Sequence, residues 1–291
     1  MNRKTLSIAS LVGLFFGGVS PSFAYGLGNF FSPVPKIIQQ SMSGIVLGYG
    51  TLHQNYTEQP AVAGEPNPLD SQTGNINAYQ IKLAGMGDYL GMATKVSYDK
   101  GITNYNGYLQ SFNSSGSLVF TPSQVPTQSQ MVNFAFELRL GFSPIHDIAI
   151  IPDVFLGRHG WERNIQGANG YDETYTNKYF GYGVTLAGAV PDPHVPLVFQ
   201  IKYKTGHTGS ASMTSSNSGD TANLGSEPWH QYGVELDYIP WSFLTVFVSY
   251  SHTQFQYGQS QPVTLNNGVV AVEPNSTTKQ NVAMAGLKLR F

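Results

Sequence analysis

The stretch Gln280–Phe291 reads QNVAMAGLKLRF. Ala283, Ala285, Leu287, Leu289 and Phe291 fall on one parity, and Lys288 and Arg290 fall on the other. Successive side chains of a β-strand point to opposite faces, so this alternation describes a strand with one oily face and one wet face. The rhythm recurs upstream. Val132, Phe134, Phe136, Leu138, Leu140 and Phe142 share a parity, as do Phe180, Tyr182, Val184 and Leu186. So do Tyr232, Val234, Leu236 and Tyr238, and Leu244, Val246, Val248 and Tyr250. No Lys, Arg, Asp or Glu interrupts those apolar parities. An Arg or Lys at the bilayer midplane of such a face costs about 2–4 kcal/mol, so their absence suits a lipid-facing surface.

Composition points the same way. Charged residues make up 11% of the chain, against roughly 25% in ordinary soluble domains. Yet mean hydropathy is only −0.15, which alternating strands and Ser/Thr/Asn/Gly-rich connections explain together. No unbroken apolar run outside the N-terminus reaches the ~18 residues of a membrane helix. A membrane form of this chain is therefore a closed barrel, the only sheet without unpaired edges. The net charge of −2 gives no support for a nucleic-acid partner.

Ten segments alternate usably. Up-strands are expected near Ser43–Gln54, Tyr89–Tyr108, Ile148–Trp161, Pro196–His207 and Phe243–Phe255; down-strands near Asn75–Leu83, Met131–Phe142, Lys178–Gly188, Trp229–Tyr238 and Lys279–Phe291. The connections at Gly85–Asp88, Ser143–Asp147, Val190–Val195 and Ile239–Ser242 are short. Those at Tyr56–Gly74, Gln110–Gln130, Arg163–Asn177, Thr208–Pro228 and Gly258–Thr278 are long and polar. Short turns alternating with long loops is the asymmetry of an all-β, antiparallel, up-and-down transmembrane β-barrel. Leu90–Phe112 reads either as one long strand or as a hairpin turning at Asp99-Lys100-Gly101; pairing with Ser117–Phe120 would then make twelve strands. Trp161, Trp229 and Trp241, with strand-end tyrosines, are expected in the interfacial aromatic girdles.

The terminal pattern resembles the C-terminal signal by which Gram-negative outer-membrane barrels are recognised by their assembly machinery: a glycine, an apolar residue and a final aromatic, here Gly286, Leu289 and Phe291. Met284 stands where that signal usually has a polar residue. The resemblance is to the class of small outer-membrane barrels, over essentially the whole mature chain. It implies outer-membrane lipid, lipopolysaccharide and the assembly machinery as partners. The N-terminus agrees, with basic Asn2-Arg3-Lys4, an apolar run from Leu6 to Val19, and a Ser22-Phe23-Ala24 cleavage site. Residues 1–24 are thus expected to be a signal peptide, 25–41 a periplasmic segment or short plug, and 42–291 the barrel. With no cysteine, neither lipidation at a lipobox nor a disulfide is available.

The inward parity holds the polar chemistry. Lys82, Lys95, Glu137, Arg139, Lys202, Lys204, Glu235, Asp237, Lys288 and Arg290 are expected to face the lumen, and a tight turn at Ser143–Asp147 brings Asp153 beside Glu137 and Arg139. Such a cluster reads as acid–base machinery or as a salt-bridge network that offsets its own desolvation; the second takes precedence because small barrels are filled this way. Charged constrictions also select what passes, so a narrow passive channel for small solutes is the leading functional expectation. A non-conducting adhesion barrel acting through its long loops is the alternative, and a hydrolase the least supported.

His53, His159, His207, His230 and His252 fall near the strand ends facing the long loops. His207, His230 and His252 share lipid-facing parity, so they ring the outside beside lipopolysaccharide phosphates rather than converge on a metal. No metal or other cofactor is expected. Omptin proteases resemble this chain in length and strand number, yet they use paired acids and an Asp-x-His at the extracellular rim. Here the Asp-x-His is Asp192-Pro193-His194 on a short turn, and no Asp-x-Asp occurs. The lipid-facing His-x-Ser of outer-membrane lipid A deacylases is absent too, since Ser251 and His252 are adjacent and point to opposite faces. No Gly-x-Ser-x-Gly elbow or phosphate loop appears.

Overall fold

The computed structural model describes residues 32–61, 64–112, 114–115, 118–167, 170–190, 192, 195–216, 221–264 and 270–290. The expected signal peptide and Phe291 lie outside the described residues. The short helix α1 (Lys36–Ser41) precedes ten long strands: β1 (Gly44–Glu58), β2 (Asp70–Met86), β3 (Leu90–Phe112), β4 (Leu118–Leu140), β6 (Ile148–Ile165), β7 (Tyr171–Ala189), β8 (Leu197–Ser215), β10 (Pro228–Trp241), β11 (Leu244–Tyr257) and β14 (Ser276–Leu289). Each pairs antiparallel with its neighbour, β8 passes directly to β10, and β1–β14 closes the circuit. The short β5 (Phe142–Ile145) pairs with β6, β9 (Thr221–Leu224) pairs with β8, and β12 (Val263–Thr264) with β13 (Val270–Ala271) forms a separate ribbon. The fold is a closed ten-stranded antiparallel barrel. Leu90–Phe112 is one strand, paired in unbroken register with Leu118–Leu140.

The outward face follows the apolar parity. Ile45, Leu47, Ile81, Val96, Leu138, Val154, Leu156, Phe180, Leu186, Ile201, Val234, Val246 and Leu287 are all exposed, an arrangement that only a hydrocarbon surround makes favourable. Above this belt runs a girdle of exposed tyrosines in register: Tyr49 faces Tyr79, which faces Tyr98, and Tyr203 faces Tyr232. Trp241 is exposed at the other end, against Phe243. Trp161 and Trp229, expected in a girdle, are instead buried inside. Their parity decides this, because Leu156 and Tyr232 point outward and the tryptophans lie an odd number of residues from them.

The expected long loops are mostly sheet. β3 and β4 run 23 residues each, so they reach about 55–60 Å along the axis at a tilt near 40°, where an apolar belt is about 25 Å tall. Arg163, Tyr171 and Glu173 all sit in paired strands. Outside the membrane the outward face meets water instead of lipid and carries polar residues, so hydropathy alternation fades although pairing continues.

Candidate functional site

The barrel interior is stacked in layers. At the short-turn end α1 lies across the opening. Val34, Ile38 and Met42 are buried against Met86, Ala149, Ile151, Ala187, Val198 and Ile239. The helix is tied in place by polar contacts: Lys36 Nζ lies 2.8 Å from Asp88 Oδ1, and Gln39 Nε2 donates to the Val34 carbonyl and to Asp88. The Lys36 and Gln39 hydrogen bonds hold the Asp88 carboxyl below its ordinary range.

Above it lies an ionic layer built from the inward parity. Lys288 Nζ lies 2.6 Å from Glu235 and 2.7 Å from Asp237, and it also donates to the Ser41 carbonyl at the end of α1. Lys202 meets Glu235 at 2.8 Å, while Gln200 donates to both carboxylates. A second group joins Lys204 to Glu137 at 2.5 Å and to Asp153 at 3.4 Å, with Arg139 on the other Glu137 oxygen at 2.5 Å. Lys82 stands between the two groups, close enough to sense Arg139, Lys202, Glu137 and Glu235. These residues converge because they occupy one parity at one height on β2, β4, β6, β8, β10 and β14.

Lys95, directly opposite Lys82 across β2 and β3, stands in the wall of a cavity of about 100 Å³ that is also lined by Asp99, His159, Asn133, Asn177 and Gln231. Arg290 does not join the lumen. β14 ends at Leu289, so the Arg290 side chain turns back and donates to the Trp241 carbonyl. Gly286 faces inward, where a Cβ would come within 2.0 Å of the Leu47 carbonyl oxygen, and Leu289 is exposed on the lipid face.

Aromatic rings bound the cavity. Tyr179 stacks on Trp229 with ring centroids 5.3 Å apart, Phe155 flanks Trp229, and Trp161 stacks on Tyr175 at 5.2 Å. His159, expected near a rim, points inward here, with Nδ1 on Asn133 and its ring against Phe255. His53, His207, His230 and His252 keep to the outward face; His53 contacts Asn75, His230 contacts Thr205 and His252 contacts Asn281. Among the described residues no group of three His, Asp or Glu is arranged to hold a metal.

A second charge cluster, not foreseen from sequence, sits at the long-loop end. Arg163 is 1% exposed and bonded to Glu173 through Nε, with Glu58 3.3 Å and Asp70 3.6 Å from Nη2. Its guanidinium lies over the Tyr56 ring at 4.9 Å. Tyr175 donates to Glu273, in the segment between β13 and β14, at 2.6 Å, and Tyr56 donates to Glu58. Burial pushes Asp70, Glu58 and Glu273 above the ordinary carboxylate range; the Glu58 charge adds to the rise at Asp70, while Arg163 opposes it at Glu58. The parity Gln54, Tyr56, Glu58 and the parity Trp161, Arg163, Ile165 carried the signal, hidden because both stretches read as polar loop.

No protein-family model and no curated protein matches the chain. Solved structures do. The outer membrane protease OmpT of Escherichia coli superposes with a TM-score of 0.58 at 12% identity, over 85% of this chain and 96% of that one. This chain has the fold of an outer-membrane β-barrel. The transport unit of the Escherichia coli autotransporter AIDA-I (TM-score 0.45, 8% identity, 85% of this chain and 90% of that one) and the translocator domain of NalP from Neisseria meningitidis (0.42, 11%, 93% and 96%) also match. In an outer-membrane barrel the short turns face the periplasm and the long hairpins face outward. The α1 layer then lies at the periplasmic end and the Arg163 cluster at the external mouth. Asp192 of the Asp-x-His falls between β7 and β8 at the periplasmic end; Pro193 and His194 lie outside the described residues.

Proposed function

We propose that this chain is a closed, non-conducting outer-membrane barrel that acts at the cell surface through the projecting strands and loops of its outer end. The observation that carries this reading is the layered lumen: helix, ion pairs, aromatic rings and the Arg163 cluster succeed one another along the axis. Charge selection at a constriction, the basis for expecting a channel, needs a continuous water path. The ion pairs favour filling instead, since each cation on the Glu137 and Glu235 carboxylates is held by direct contact. The β3–β4 hairpin, rising far beyond the belt, supports an outward-directed role.

Planar-bilayer recording of the refolded protein tests this. The wild type is expected to insert without steady openings, and Glu137→Gln and Arg139→Gln are expected to stay silent because α1 and the aromatic layer still close the bore. Steady ion-selective openings of the wild type that shift in those variants would establish the channel instead.

A further inference from the structure

On the outward face, immediately above the apolar belt, Arg158 of β6 stands directly opposite Lys178 of β7. Both are exposed. Directly opposed side chains of antiparallel strands lie roughly 5 Å apart at Cβ, and like charges there repel. Neither residue makes an ion pair within 4.0 Å of a carboxylate among the described residues, and no carboxylate occupies a neighbouring outward position. Phe134 faces Arg158 across the other strand pair, Leu156 and Gly160 flank it along β6, and Thr176 and Phe180 flank Lys178 along β7. β8 bulges beside Lys178, where the register shifts between Asn177 and Tyr179, and Gly209 leaves that flank uncovered. Just below the pair the same face is apolar, with Leu156 and Phe180 more than half exposed.

We infer that Arg158 and Lys178 form a binding site for the phosphorylated headgroup of an outer-leaflet lipid, whose acyl chains lie on Leu156, Phe180, Val154 and Tyr182. A phosphate between the two cations relieves their repulsion, and the apolar track beneath selects an anchored anion over a free one. The site depends on the membrane-spanning fold and not on whether the lumen conducts, so it stands or falls separately from the surface role.

Native mass spectrometry of the refolded protein in non-ionic detergent tests it. The probes are diphosphorylated lipid A, phosphatidylcholine and inorganic phosphate, with folding checked by heat-dependent gel mobility. The wild type is expected to retain lipid A and not phosphatidylcholine, with millimolar phosphate a poor competitor. Arg158→Gln with Lys178→Gln should weaken retention about thirtyfold, since each basic group near a charged membrane surface contributes roughly fivefold. Lys100→Gln with Lys279→Gln removes two outward cations that are not adjacent and should weaken it far less. If the double variant fails to fold, Lys178→Gln alone is read, with about a fivefold loss expected. Equal loss in both double variants would mean diffuse charge attraction and overturn the site. So would unchanged retention on removing Arg158 and Lys178, and displacement by free phosphate would overturn the lipid assignment.

Discussion

Arg163 holds three carboxylates from three strands while almost wholly buried, so its loss leaves Glu58, Asp70 and Glu173 without a cation. Removing one partner of a buried ion pair typically costs about 3–5 kcal/mol. Arg163→Met is accordingly expected to loosen the external mouth, seen as faster proteolysis between residues 258 and 275 with the apolar belt intact. The same cluster sets a pH dependence. Asp70 and Glu58 hold their protons more tightly in the folded state than in the unfolded chain. Folding stability then falls as pH rises from the ordinary carboxylate range through the raised folded values, and the loss is complete above them. Protection of that loop should be greater at pH 5 than at pH 9; the reverse order would contradict the charge balance drawn for the mouth. In the ionic layer, Lys288→Met should destabilise by a similar amount, while adding Glu235→Gln should recover part of it, because the second change removes a stranded charge. Urea titrations of the refolded variants would separate these cases.

At the scale of the strand, the β1–β14 seam has little tolerance. A Cβ at Gly286 would lie 2.0 Å from the Leu47 carbonyl oxygen and 2.7 Å from the Phe247 ring, and one at Gly50 would lie 2.0 Å from the Ala283 carbonyl oxygen. Gly286→Val is expected to reduce the refolded fraction by more than half on a heat-shift gel. Gly188→Ala, where nothing lies within 4 Å, should refold like the wild type. This gives a packing reason for the glycine in the terminal pattern that first suggested a barrel. The strands were legible wherever lipid lies on one side and polar lumen on the other, as in Met131–Leu140 and Tyr232–Tyr238. They were not legible beyond the membrane, where Arg163–Ile165 and Tyr171–Asn177 are paired strand, yet the outward face is polar and the buried inward face mixes Arg163 and Glu173 with Ile165 and Tyr175. Face assignment failed where the argument relied on residue type rather than parity: Trp161 and Trp229 went to a girdle because they are tryptophans. The inward position of Glu137, Arg139, Lys204, Glu235 and Lys288, though not of Arg290, was legible because a charge has few places in a small barrel. The Arg163 cluster was not, since its members come from segments 105 residues apart in sequence.

Across the whole molecule the interior is filled by pieces that support one another: Lys288 joins the carboxylates of β10 to the end of α1, and Glu273 ties the last connection to Tyr175. Ile38→Asp, which places a carboxylate among Ala149, Ile151 and Val198, should release the periplasmic helix to protease while the ionic layer keeps the bilayer silent. Conductance appearing in that single variant would show that the helix alone is the seal. A tube packed this way behaves mechanically as a solid post. Its circumference is fixed by incompressible contents, so the hairpins that rise from it stand at constant spacing on a rim that does not ovalise when the surrounding bilayer is strained. Anything that grips two of those hairpins at once meets a gauge already set to length, and loses little freedom in making the second grip.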